Sequence, residues 1–125
     1  MNKICTSLEQ SKKLIELGID VKTADMYYDV NSYGIQGKPE VVVGEVWSKD
    51  IPAWSLSALL DLPPKCEDNN IDLCFGGYKG EEYIDEWFCT FEDNKEPFEF
   101  HSYSNKDKLD AVFEMICWLK ENNKI

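Results

Sequence analysis

The stretch IDLCFGGYKGEEYIDEWFCTFEDNKEPFEFHS, residues 71–102, alternates apolar and polar positions between clusters of turn-forming residues. A period of two belongs to β-strands, whose successive side chains point to opposite faces. In IDLCFGG (71–77), Ile71, Leu73 and Phe75 share one side, and GYKG (77–80) follows as a turn. In EEYIDEWFCTFE (81–92), Tyr83, Trp87, Cys89 and Phe91 take one face, and Glu82, Ile84, Glu86, Phe88 and Thr90 the other. DNKEP turns the chain again, and FEFHS (98–102) puts Phe98 and Phe100 inward with Glu99 and His101 outward. Three short strands joined by tight turns predict an antiparallel meander. Its polar face carries Asp72, Glu82, Glu86 and Glu99, with Ile84, Phe88 and His101 among them. Carboxylates around exposed hydrophobes suit a protein-binding patch. The bland alternative is a solvated face with its hydrophobes covered from within the fold.

Outward from this meander, SNKDKLDAVFEMICWLKENNKI closes the chain. Leu109, Val112, Phe113, Ile116 and Cys117 have helical spacing, Trp118 and Leu119 widen the stripe, and Ser104 with Asp107 offers an N-terminal cap, predicting a helix over 105–122. On the N-terminal side, TSLEQSKKLIELGID predicts a helix over 7–17, with Thr6 or Ser7 as cap, Glu9 or Gln10 completing a capping box, and Gly18 ending it in a left-handed turn. ADMYYDV (24–30) and PEVVVGEVW (39–47) are rich in β-formers, and the run Val41–Val43 suggests a central strand. In IPAWSLSALLDLPP (51–64), Pro52 stops the preceding strand, Ser55 caps a helix from Leu56, and Pro63 and Pro64 end it. Its LSALL matches a partner-docking pattern. A helix of about two turns is far too short to persist without packing. Leu56, Leu59 and Leu60, with Trp54 as a staple, therefore read as a plug in the protein's own core. Strands in runs rather than alternating singly with helices predict an α+β fold. The expected architecture is a single domain, residues 1–125, with an antiparallel sheet of about five strands packed by N-terminal, C-terminal and short middle helices.

The chain has 125 residues, enough for one domain, and its 43% hydrophobic and 13% aromatic content supplies a core. All 13 basic residues are lysine, against 24 acids, for a net charge of −11. The imbalance is local: residues 66–101 hold 11 acids and 2 lysines. Such a surface repels phosphate backbones and lacks the guanidinium fork that binds them best, so direct nucleic-acid binding is not expected. A basic protein partner fits the field better. No apolar run approaches membrane-spanning length and MNKICTSLEQSKK lacks a secretion signal's apolar segment, so a cytoplasmic address is expected. The five cysteines at 5, 66, 74, 89 and 117 include no C-x-x-C pair and read as free thiols, with Cys74 and Cys89 able to face each other across adjacent strands.

Catalytic signatures are thin. His101 is the only histidine, which excludes a multi-histidine metal site; general base, ligand and surface residue stay open for it. Glu82 and Glu86 would serve a glycosidase only at the right separation in a cleft. DNNID (68–72) opens like a calcium loop, but Leu73 replaces the glycine at position six and the distal glutamate is missing. GGYKG lacks the spacing of a phosphate-binding loop. No cofactor or metal is expected.

Three stretches together, ICTSLEQSKKLIELGID, IPAWSLSALLDLPP and LDAVFEMICWLKEN, resemble a family of small uncharacterised proteins carried by prophages and other mobile elements of gut-type anaerobic bacteria. The resemblance implies an accessory protein of a mobile element and carries over no catalytic residue. The expectation is a non-enzymatic protein-binding module using the acidic sheet face. The alternative is a small enzyme or sugar-binding protein using the aromatic and carboxylate-rich sheet; self-association through Ile84 and Phe88 is a third reading.

Overall fold

The computed structural model describes residues 3–33, 39–44, 50–63, 71–78 and 86–125. They form an α+β structure with two three-stranded antiparallel sheets, in place of the expected sheet of about five strands. The chain divides into two compact units, one of residues 4–62 and one of residues 63–125 with 1–3.

The first unit opens with helix α1, Leu8–Glu16. Ser7 caps it: its hydroxyl oxygen accepts the Gln10 N–H at 3.1 Å, and the Gln10 side-chain oxygen accepts the Ser7 N–H at 2.9 Å. This capping box satisfies two donors that a helix start leaves orphaned. At the other end Gly18 adopts φ 90°, a left-handed conformation that costs glycine nothing. The Gly18 and Ile19 N–H groups donate back to Ile15 and Leu14, folding Ile19 into the interior.

The sheet of this unit has the order β2-β1-β3, with β1 Met26–Tyr33, β2 Pro39–Val43 and β3 Ile51–Ala53. The valine run is therefore an edge, not the centre, and Val43 is 76% exposed. β1 is central because the chain returns as β3 along its other side, pairing Met26 with Ala53 and Tyr28 with Ile51. Pro52 sits inside that short strand. An edge strand hydrogen-bonds on one side only and so tolerates a residue without an N–H.

Helix α2, Leu56–Leu60, begins where the sequence places it, with the Ser55 hydroxyl accepting the Ala58 N–H. Trp54, Ala58 and Leu59 are buried, Leu56 is half-buried and Leu60 lies at the surface. The LSALL segment thus faces inward at its centre. Beneath it is a hydroxyl network. Trp54 N–H donates to Thr6 Oγ1 at 3.1 Å, the Thr6 and Ser11 hydroxyls meet at 2.8 Å, and Tyr28 OH donates to the Thr6 carbonyl at 2.7 Å. Thr6 and Ser11 are fully buried, and these partners satisfy them.

The second unit is the meander followed by a helix: β4 Ile71–Tyr78, β5 Glu86–Asp93, β6 Glu99–Asn105 and α3 Lys108–Glu121. Asp107 caps α3, accepting the N–H groups of Leu109 and Asp110, while Ser104 is still in β6. Asp107 and Asp110 also hold Lys3, through its backbone N–H and its ammonium, each at 2.9 Å. Leu109, Val112, Met115, Ile116 and Leu119 are buried against one face of the sheet, with Cys89 and Phe91 of β5 beneath them.

Candidate functional site

Register decides which side chains meet solvent. Phe75 pairs with Cys89, and Cys89 with Tyr103; Leu73 pairs with Phe91, and Phe91 with His101. Directly opposed residues share a face, so Ile71, Leu73, Phe75, Trp87, Cys89 and Phe91 lie toward α3, as their alternation predicts. The same pairing places Glu99, His101 and Tyr103 on the α3 side and turns Phe100 outward, the reverse of the sequence expectation for 98–102.

The reversal has a physical cause. The His101 ring stacks on Trp118 of α3 at 4.2 Å and 7°, with Tyr103 edge-on at 4.7 Å, and the Glu99 carboxylate reaches Lys124 at 2.7 Å. Aromatic stacking and an ion pair fill the inner row, while Phe98 and Phe100 stay 58% and 57% exposed. His101 is consequently no surface residue; its Nε2 is buried, with no hydrogen-bond partner among the described residues. Glu99 and His101 therefore leave the candidate face. Glu82 and Ile84 lie outside the described residues, as do Asp68–Asn70 of the calcium-like stretch, Lys79 and Gly80 of GGYKG, and Cys66.

Of the expected site residues, Asp72, Glu86 and Phe88 remain on the open face. Alternation adds Cys74 on β4, Thr90 and Glu92 on β5, and Phe100, Ser102 and Ser104 on β6. Glu92 was legible from the period of two, being two residues beyond Thr90. Phe100 was not, because apolar character argued for the interior. Phe88 lies over Gly76 on the neighbouring strand, where a Cβ would stand 3.1 Å from its ring. The glycine lets the phenyl lie flat on the sheet, leaving Phe88 36% exposed.

The electrostatics are one-sided. Asp72 and Glu92 are directly opposed across β4 and β5, an arrangement of like charges that destabilises a sheet. The Cys74 Sγ lies 3.6 Å from Asp72, and local desolvation, then the Asp72 charge, push its thiol pKa up. Cys89 lies on the other face of the sheet, so the two thiols do not face each other; burial pushes Cys89 up to about 11. Neither is poised as a thiolate nucleophile.

Each unit also has a concavity among its described residues. A small apolar cavity of about 60 Å³ is lined by Ile71, Leu73, Phe91, Leu119 and neighbouring residues. In the first unit, a cleft of about 360 Å³ includes Asp25, Ser57 and Asp61. Asp25 there already accepts the Ser55 backbone N–H at 2.9 Å and its hydroxyl, so it serves as a clamp on the α2 cap. Among the described residues no group of three or more His, Cys, Asp or Glu side chains is placed to hold a metal ion, and no helix is long and apolar enough to cross a membrane. The chain matches no protein-family model, no curated protein and no solved structure.

Proposed function

We propose that this protein is a non-enzymatic, cytoplasmic accessory protein of a mobile element that acts by binding a basic protein through the open face of its second sheet. The observation that carries this reading is the pairing of exposed phenyl rings, Phe88 and Phe100, with the carboxylates Asp72, Glu86 and Glu92 on a face that α3 does not cover. Apolar contact area supplies affinity, and an acidic surround selects basic partners and speeds their encounter. The opposed Asp72 and Glu92 add to it, because a partner's cation between them relieves a repulsion the free protein carries. A decoy of nucleic acid would need carboxylates at phosphate-like intervals; Phe88 and Thr90 stand between Glu86 and Glu92 instead. A carbohydrate or enzyme site has less support, since the cavity beside this sheet is lined almost wholly by apolar side chains.

The test is affinity capture from host lysate with the wild-type chain and a Glu86→Lys, Glu92→Lys double variant, at low and moderate salt. A basic protein held by the wild type, shed at moderate salt and lost by the variant is expected. Equal retrieval by the variant sinks the open-face reading.

A further inference from the structure

Among the described residues β6 is the outer strand of its sheet. β5 pairs with one of its edges over residues 99–105, and among the described residues nothing is hydrogen-bonded to the other. An uncovered edge presents backbone N–H and C=O groups to any extended chain, and proteins ordinarily guard it with lysine, proline or a bulge. From Phe98 to Asn105 the chain contains neither lysine nor proline, which stand only at its ends as Pro97 and Lys106, and the pairing with β5 runs without a register break.

The two sides of this edge differ in chemistry. On the open side stand Phe100, Ser102 and Ser104, all exposed, with Phe98 just before the strand. On the other side α3 runs beside β6, held by the stack of Trp118 on His101. Glu114 and Glu121 lie two turns apart on one face of α3. Both act on Tyr103 of β6: after desolvation, their charges push its phenol pKa up.

A strand added to a sheet edge sends alternate side chains to its two faces. We infer that β6 accepts, by strand addition, an extended segment of the partner in which apolar and basic residues alternate. The apolar row lies beside Phe98 and Phe100, and the lysine or arginine row meets Glu114 and Glu121. This deepens the function proposed above and rests on it, the open face supplying one side of the seat. Charge selects such a segment over a second copy of the chain. Antiparallel pairing of two β6 strands would carry both α3 helices to the same side, setting Glu114 and Glu121 near their equals in molecules of net charge −11. A cation beside Glu114 instead offsets a carboxylate whose pKa is raised by desolvation and then by Asp110.

The experiment is an NMR titration of the nitrogen-15-labelled 125-residue chain with a synthetic heptapeptide alternating lysine with valine or phenylalanine. A peptide of the same composition with its lysines in one block serves as the comparison. The alternating peptide is expected to slow hydrogen exchange at every second amide of β6, and to bind at least fivefold more tightly than the block peptide. Glu114→Gln and Glu121→Gln should each weaken it by roughly two- to fivefold. Peptide shifts confined to Asp72–Phe88–Glu92, without protection of β6, would overturn strand addition while leaving the open-face reading intact. Absence of binding by the alternating peptide also overturns it, and the capture experiment then judges the open face separately. Protection of β6 that grows with protein concentration alone would assign the edge to a second copy.

Discussion

Thr6 shows how one buried hydroxyl ties distant segments together. Its Oγ1 accepts from Trp54 N–H, its hydroxyl meets Ser11, and its own N–H donates to the Trp54 carbonyl at 2.9 Å. The sequence offered Thr6 only as one of two helix caps; Ser7 took that role and Thr6 turned inward, an assignment that required the position of Trp54. Valine matches threonine in shape but removes the hydroxyl, leaving Trp54 N–H and Ser11 without that partner in a buried site. Thr6→Val is expected to lower unfolding stability by about 1–3 kcal/mol, read from urea denaturation. A loss below a few tenths would mean that water replaces the hydroxyl without cost. Trp54, fully buried and with its indole N–H donating to Thr23 at 2.9 Å, was legible as a staple because a large aromatic beside a short capped helix has few other uses.

At the scale of elements, the two adjacent glycines of β4 separate the faces of the second sheet. A Cβ at Gly77 would stand 2.8 Å from the Trp87 ring, which is stacked on Phe75 at 5.7 Å and has Lys108 above it at 5.5 Å. At Gly76 the neighbour is Phe88, at 3.1 Å, whose ring borders solvent and is free to tilt. Gly77→Ala is therefore expected to cost about 1–3 kcal/mol by overpacking, and Gly76→Ala less than half as much, in matched chemical denaturation curves. Equal costs would show that Trp87 yields as easily as Phe88. The elements themselves were largely readable: caps, the Gly18 stop and a period of 3.6 marked the helices, and a period of two marked β4 and β5. β3 was hidden because it is short and contains a proline. The facing of β6 was hidden because FEFHS alternates apolar and polar residues in the register opposite to the one adopted.

For the whole molecule the governing feature is negative charge, −11 over 125 residues. At Glu114 the effect is local: desolvation, then the Asp110 charge, hold its pKa above the ordinary 4.5. The folded state thus binds this proton more tightly than the unfolded chain does. Its stabilising contribution is complete below the ordinary carboxylate range and is lost as pH rises through the raised folded value. Glu114→Gln should accordingly match or exceed wild-type stability at neutral pH, with the advantage disappearing in acid; urea midpoints of both proteins across that range measure it. An advantage that persists unchanged in acid would place its origin outside titration. What the sequence by itself determined was composition, charge, the α+β class and most element boundaries, because these follow from local period, capping and residue type. The tertiary structure alone decided that the strands form two sheets, that Val41–Val43 lie on an edge, and that His101 faces Trp118 while Phe100 faces water. Strand order depends on long-range pairing, and a shift of one residue in register exchanges every side chain between the two faces of a strand.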